Sequence, residues 1–158
     1  MTETAAEQEG SVDFGQALSS LLRSYLVGAR AAIDHLPGGP RGFQVLSISA
    51  AGDCSNQAAI AHRLGIDRTV MTYLVDDLEK SGLVERRPDP ADRRARQVVL
   101  TRDGHRELEA SAARLREVED AVLAGLSAED AELFRALLAR VTSDAPADHS
   151  ACDGPPAC

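Results

Sequence analysis

Between Asp67 and Gly104 a helical pattern gives way to GLVERR, then to an arginine-dense turn, DPADRRARQ, and then to the returning segment VVLTRDG. Few folds accommodate that order. An amphipathic helix followed by a strand, a basic turn and a second strand is the layout of a winged helix-turn-helix, in which the helix enters a groove of DNA and the hairpin grips beside it. Double-stranded DNA is therefore the first partner to expect.

The residues upstream complete the motif. Asp13 is placed to cap a helix over about 14–36, in which Ala17, Leu18, Leu21, Leu22, Tyr25, Leu26, Ala29 and Ile33 recur at helical spacing before PGGP stops it. At ~1.5 Å per residue such a helix runs roughly 35 Å, longer than a compact winged lobe needs. Phe43, Val45, Leu46 and Ile48 mark a second helix over about 41–50, and Ser55 or Asn56 caps a third over 57–64. Gly65 supplies a left-handed stop and Asp67 caps the next helix two residues later. In that fourth helix Val70, Met71, Leu74, Val75 and Leu78 are expected to face inward, leaving Arg68, Thr69, Thr72, Tyr73, Asp76 and Asp77 outward. Residues 83–87 and 96–100 read as the two strands of the wing. Thr101 caps a long helix to about Ala124, Gly125 breaks it, and Ser127 caps a last helix to about Val141.

The fold class expected is mainly α: a winged helix-turn-helix lobe over about 41–101 with a two-stranded wing, and a helical dimerisation region from helices over about 13–36 and 101–142. These form one domain over 13–143, between a disordered N-terminus at 1–12 and a disordered tail at 144–158. Leu18, Leu22 and Leu26 at one end, and Leu123, Leu126, Leu133, Phe134, Leu137, Leu138 and Val141 at the other, offer more apolar surface than a small winged lobe covers. A homodimer on a pseudo-palindromic operator is the expected consequence.

Charge points the same way. The net charge of −8 argues against a bulk nucleic-acid coat and directs attention to where the basic residues gather. Five arginines (Arg86, Arg87, Arg93, Arg94, Arg96) face Asp89 and Asp92, whereas eleven acids face four arginines from Glu107 onward. A basic lobe on an acidic body suits a site-specific binder. On the helix, Arg68, Thr69, Thr72 and Tyr73 are of types that bond base edges or phosphates. On the hairpin, Arg86, Arg93, Arg94 and Arg96 are the candidate DNA contacts, with an arginine entering the minor groove and Asp92 or Asp89 holding a guanidinium in place.

The run LGIDRTVMTYLVDDLEKSGLVERRPDPADRRARQVVLTRDG resembles the recognition helix and wing of the MarR family of bacterial transcriptional regulators. The wing signature stands as Asp92-Arg93-Arg94, and the following strand and cap as Val98-Val99-Leu100-Thr101. The resemblance implies that Arg94 enters the minor groove, that Asp92 orients it, and that Thr69 and Thr72 lie on the reading face. It also implies an obligate homodimer built by the first and the last two helices. Many members carry basic residues where Tyr73 and Asp77 stand here, so this recognition helix is less positive than theirs. A repressor relieved by a small aromatic or phenolic ligand is the function implied. For that effector, Tyr25, Arg30, His35, Arg41 and Phe43, near the junction of the first two helices, are the candidates.

Other readings leave weaker marks. An enzyme is disfavoured, because no nucleophile is paired with a base at a recognisable spacing and the histidines are scattered. A winged helix that binds only protein would account for the acidic body and for Asp76-Asp77. A metal-sensing repressor of the ArsR type would need clustered Cys and His, and no metal site or cofactor is expected. Cys54, just before a helix, could serve a thiol-based redox regulator, although peroxide sensors of the MarR family use a cysteine in the first helix and none occurs before Cys54. Cys152 and Cys158 match no tight ligand motif. No apolar run is long enough for a membrane helix, and the acidic start is unlike a secretory signal, so a cytoplasmic location is expected.

Overall fold

The computed structural model describes residues 13–52, 56–89 and 95–143. Helix α1 spans Phe14–Ile33, α2 Pro40–Ala51, α3 Gln57–Arg63 and α4 Arg68–Lys80. Strands β1 (Val84–Pro88) and β2 (Arg96–Leu100) follow, then α5 (Arg102–Val122) and α6 (Ala128–Ser143).

Every helix except α2 starts where a side chain meets an orphaned amide. Asp13 accepts from the Gln16 amide at 2.8 Å, Asn56 from Ala58 at 2.8 Å, Asp67 from Thr69 at 2.7 Å and Thr101 from Gly104 at 3.0 Å. Ser127 accepts from the Asp130 amide while donating to the Asp130 carboxylate, a reciprocal cap for α6. α2 starts with Pro40, whose missing N–H costs nothing at a first helical position.

Two expectations need correction. α1 ends at Ile33 rather than Leu36, because Gly38 and Gly39 take positive φ and fold the chain back immediately. Leu36 is buried because that turn points it inward, and not as part of a helical stripe. Val70 is 45% exposed and does not share the apolar face of α4. At ~100° per residue it lies about 90° from the centre of the face made by Met71, Leu74, Val75 and Leu78, all of them buried.

The core lies under the winged lobe, where Val45 and Leu46 of α2, Ile60 of α3, Met71, Val75 and Leu78 of α4, and Val84 and Val98 of the hairpin are almost fully buried. The hairpin is antiparallel, with Val84 opposite Leu100, Arg86 opposite Val98 and Pro88 opposite Arg96. Because alternate residues share a face, Val84, Arg86, Val98 and Leu100 all point inward. α5 carries the chain away from the wing and packs along α1, with Val118 lying against Gly28. The outer faces of α1 and α6 stay uncovered: Leu18, Leu22, Leu26, Leu133, Leu137 and Val141 are all exposed. Among the described residues, no helix is long and apolar enough to cross a membrane, and no group of side chains is arranged to hold a metal ion.

Candidate nucleic-acid interface

The turn from α3 to α4 takes only Leu64, Gly65, Ile66 and Asp67, with Gly65 at a φ of 60°. Asp67 then fixes where α4 begins. Hydrogen bonds from the Thr69 and Val70 amides hold its carboxyl below the usual range, so it remains ionised at the positive end of the helix dipole. The start of α4 is thereby presented outward with Arg68, Thr69, Thr72 and Tyr73 exposed, Tyr73 to 67%.

The hydroxyl of Thr72 is engaged within the protein. It donates to the Arg68 carbonyl at 2.9 Å and accepts from Gln57 Nε2 at 3.1 Å. What Thr72 has left to offer a base is chiefly its methyl group, suited to the C5-methyl of thymine.

The hairpin arginines differ from one another. Arg86 lies on the inward face, its side chain 20% exposed, 2.6 Å from Asp76 and 2.7 Å from Glu79. Arg87 points the other way and pairs with Glu85. Arg96 and Arg68 form no ion pair among the described residues, and with Asn56, Gln57 and Thr72 they line a crevice between α3, α4 and the start of β2. Asp92, Arg93 and Arg94 lie outside the described residues, as does Cys54. Asp76, expected to face solvent, is instead half-buried against Arg86, and Asp77 sits 3.3 Å from Lys80.

The proposed effector residues are not brought into one pocket. Tyr25 opens onto an apolar groove of 690 Å³ between α1, α5 and α6, with Leu22, Phe134 and Leu138, and none of the other four residues lines it. Burial, then the Glu119 carboxylate, pushes the Tyr25 hydroxyl pKa up. Phe43 packs half-buried against the core, while Arg30 and Arg41 are exposed. His35, which follows the end of α1, lies 2.8 Å from Glu107 on α5. The same carboxylate oxygen takes the hydroxyl of fully buried Ser111 at 2.9 Å and Arg114 at 3.3 Å. His35 foremost, with Ser111 and Arg114, holds the Glu107 carboxyl below its usual range against the opposing effect of burial.

Gln57, Asp76, Glu79, Glu107, Ser111 and Arg114 were not singled out by the sequence reading as site residues. For α5 a signal existed, since Glu107, Ser111 and Arg114 recur at helical spacing on one face.

The MarR family model matches residues 44–95, from α2 to the residue before β2. An uncharacterized HTH-type transcriptional regulator, YdgJ of Bacillus subtilis, is 30% identical over 102 residues, which is 65% of this chain and 62% of that protein. Wild-type MarR in its apo form from E. coli superposes with a TM-score of 0.70 at 22% identity, over 82% of this chain and 96% of that one. CouR from Rhodococcus jostii RHA1, bound to p-coumaroyl-CoA, superposes with a TM-score of 0.63 at 26% identity, over 90% of this chain and all of its own.

Proposed function

We propose that this chain is a member of the MarR family, whose model matches residues 44–95, and that it is a homodimeric, sequence-specific DNA-binding transcriptional regulator, a repressor relieved by a small aromatic ligand. The observation that carries the reading is the joint exposure of Arg68, Thr69, Thr72 and Tyr73 at the start of α4, beside a hairpin anchored to the same helix. The N-terminal half of α4 enters the major groove, while the hairpin lies along the backbone with Arg94 in the adjacent minor groove. The uncovered leucines of α1 and α6 support pairing of two chains, which places two recognition helices about one helical turn of DNA apart. The p-coumaroyl-CoA bound by CouR supports an effector with an aromatic group.

Selection of bound duplexes from a random-sequence pool tests the reading, followed by titration of the selected duplex against salt. Arg94→Ala is expected to weaken binding on every sequence. Tyr73→Ala is expected to weaken the selected duplex and leave mixed-sequence DNA nearly unchanged, because a base contact discriminates by roughly 1–3 kcal/mol. A folded Arg94→Ala variant that binds as tightly as wild type across the salt range would refute the assignment.

A further inference from the structure

We propose that Arg86 is a positioning residue, tying the wing to the recognition helix and setting the angle between them, and not a contact to DNA phosphate. The inference rests on the DNA-binding reading above and deepens it.

The side chain of Arg86 bonds to three partners on α4 and one on α3. Nε donates to Gln57 Oε1 at 3.1 Å, Nη1 to Glu79 Oε2 at 2.7 Å, and Nη2 lies 2.6 Å from Asp76 Oδ1 and 3.3 Å from the Thr72 carbonyl. The Arg86 amide donates as well, to the other Glu79 oxygen at 3.0 Å. Little donor capacity remains, because a guanidinium has five N–H groups in a fixed fork. One positive charge here faces two carboxylates, so the local balance is negative and a phosphate gains nothing by approaching it.

The placement explains why such a brace is needed. A lone two-stranded hairpin is marginally stable, and this one is secured at its base by Thr101, whose amide and hydroxyl bond to Leu83 and Gly82. Arg86 sits at the middle of β1, opposite buried Val98, where a fork of donors resists rocking of the strands against α4. Gln57 extends the brace, accepting from Arg86 and donating to Thr72, so the wing, α3 and a residue of the reading face are held by one connected set of bonds. The wing's charge toward DNA then falls to other arginines, and Arg96 is the one among the described residues that makes no ion pair.

Affinity, salt dependence and backbone exchange separate the two roles in the full-length protein. Arg86→Lys keeps the charge but not the fork. It is expected to weaken the selected duplex by about tenfold or more, as befits loss of several charge-assisted bonds, with the slope of log affinity against log salt unchanged. Arg96→Gln is expected to make that slope shallower by about one unit. In hydrogen exchange without DNA, Arg86→Lys is expected to speed exchange in 84–88 and 96–100 by about tenfold and to leave α5 as in wild type. A slope shallower by one unit for Arg86→Gln, native affinity for Arg86→Lys, or native exchange in the hairpin would each overturn the proposal. If Arg86→Lys does not fold, Asp76→Asn, which spares the Glu79 bonds, carries the same readouts. Should wild type bind no duplex, selected or mixed, the regulator reading falls, and hairpin exchange alone decides whether the brace exists.

Discussion

Replacing Gly104 with alanine strikes the point where the hairpin hands the chain to α5. A Cβ there would stand 1.9 Å from the Leu83 carbonyl oxygen and 2.9 Å from its carbon, so α5 and the strand entry must separate by more than an ångström. That oxygen also accepts from the Thr101 amide at 3.1 Å, and the Thr101 hydroxyl reaches Gly82 at 2.5 Å, so separation strains both bonds. Forcing atoms into a packed site costs roughly 1–3 kcal/mol and one lost hydrogen bond about 1 kcal/mol, against at most ~1 kcal/mol gained from alanine's better helix propensity. The net expectation is a loss of roughly 1–3 kcal/mol. Gly125 is the matched control: its Cβ would meet nothing within 4 Å and its φ is not positive, so Gly125→Ala should be neutral or stabilise by up to ~1 kcal/mol. Urea unfolding at one fixed protein concentration measures both, since association shifts apparent stability. If Gly104→Ala unfolds within ~0.5 kcal/mol of wild type, or if Gly125→Ala costs as much, then the close approach at Leu83 does not govern this junction.

Sedimentation at micromolar concentration should show a two-chain species, and Leu22→Glu or Leu137→Glu should dissociate it, since each puts a charge on an exposed apolar face; a folded wild-type monomer would end the dimer proposal. Glu107, its carboxyl held below the ordinary 4.5 by His35 first and against burial, contributes stability that is full above that value and is lost as pH falls through the lowered one. Glu107→Gln should accordingly be less stable than wild type at neutral pH, with the two urea midpoints converging in acid; a gap independent of pH would exclude the linkage. An aryl carboxylate that binds the folded dimer should raise the melting temperature, by about 2.7 kcal/mol of linkage at a hundredfold excess over Kd, and should weaken operator binding. Tyr25→Ala abolishing that shift, with Arg41→Ala leaving it intact, would locate the ligand in the α1–α5–α6 groove.

Five helix starts were legible because each depends on one local group: Asp13, Asp67, Thr101 and Ser127 cap where the sequence placed them, and of the two candidates Ser55 and Asn56 it is Asn56 that accepts from the Ala58 amide. Helix ends and faces were less so. Leu36 and Val70 are apolar at plausible spacing, yet one is buried by a turn and the other exposed at the edge of a face, outcomes set by neighbours remote in sequence. The effector candidates failed to converge for the same reason: side-chain type puts Tyr25, His35 and Phe43 near a junction, but the rotation of α1 sends Tyr25 toward α6 and the chain turn brings His35 to Glu107.

Arg86 shows how much a one-residue parity decides. In LVERR the strand alternation that buries Val84 also turns Arg86 inward and Arg87 outward, so two adjacent arginines have different fates. An inward arginine needs anionic partners, and Asp76 and Glu79, three apart on α4, form one acidic edge to meet it. Asp76, expected from sequence to face outward, is half of the counter-charge for Arg86. On the proposed DNA-binding reading, counting Arg86 toward DNA contact therefore overstates the wing's available charge, and among the described residues Arg68 and Arg96 of the α3–α4–β2 crevice are left to meet phosphate.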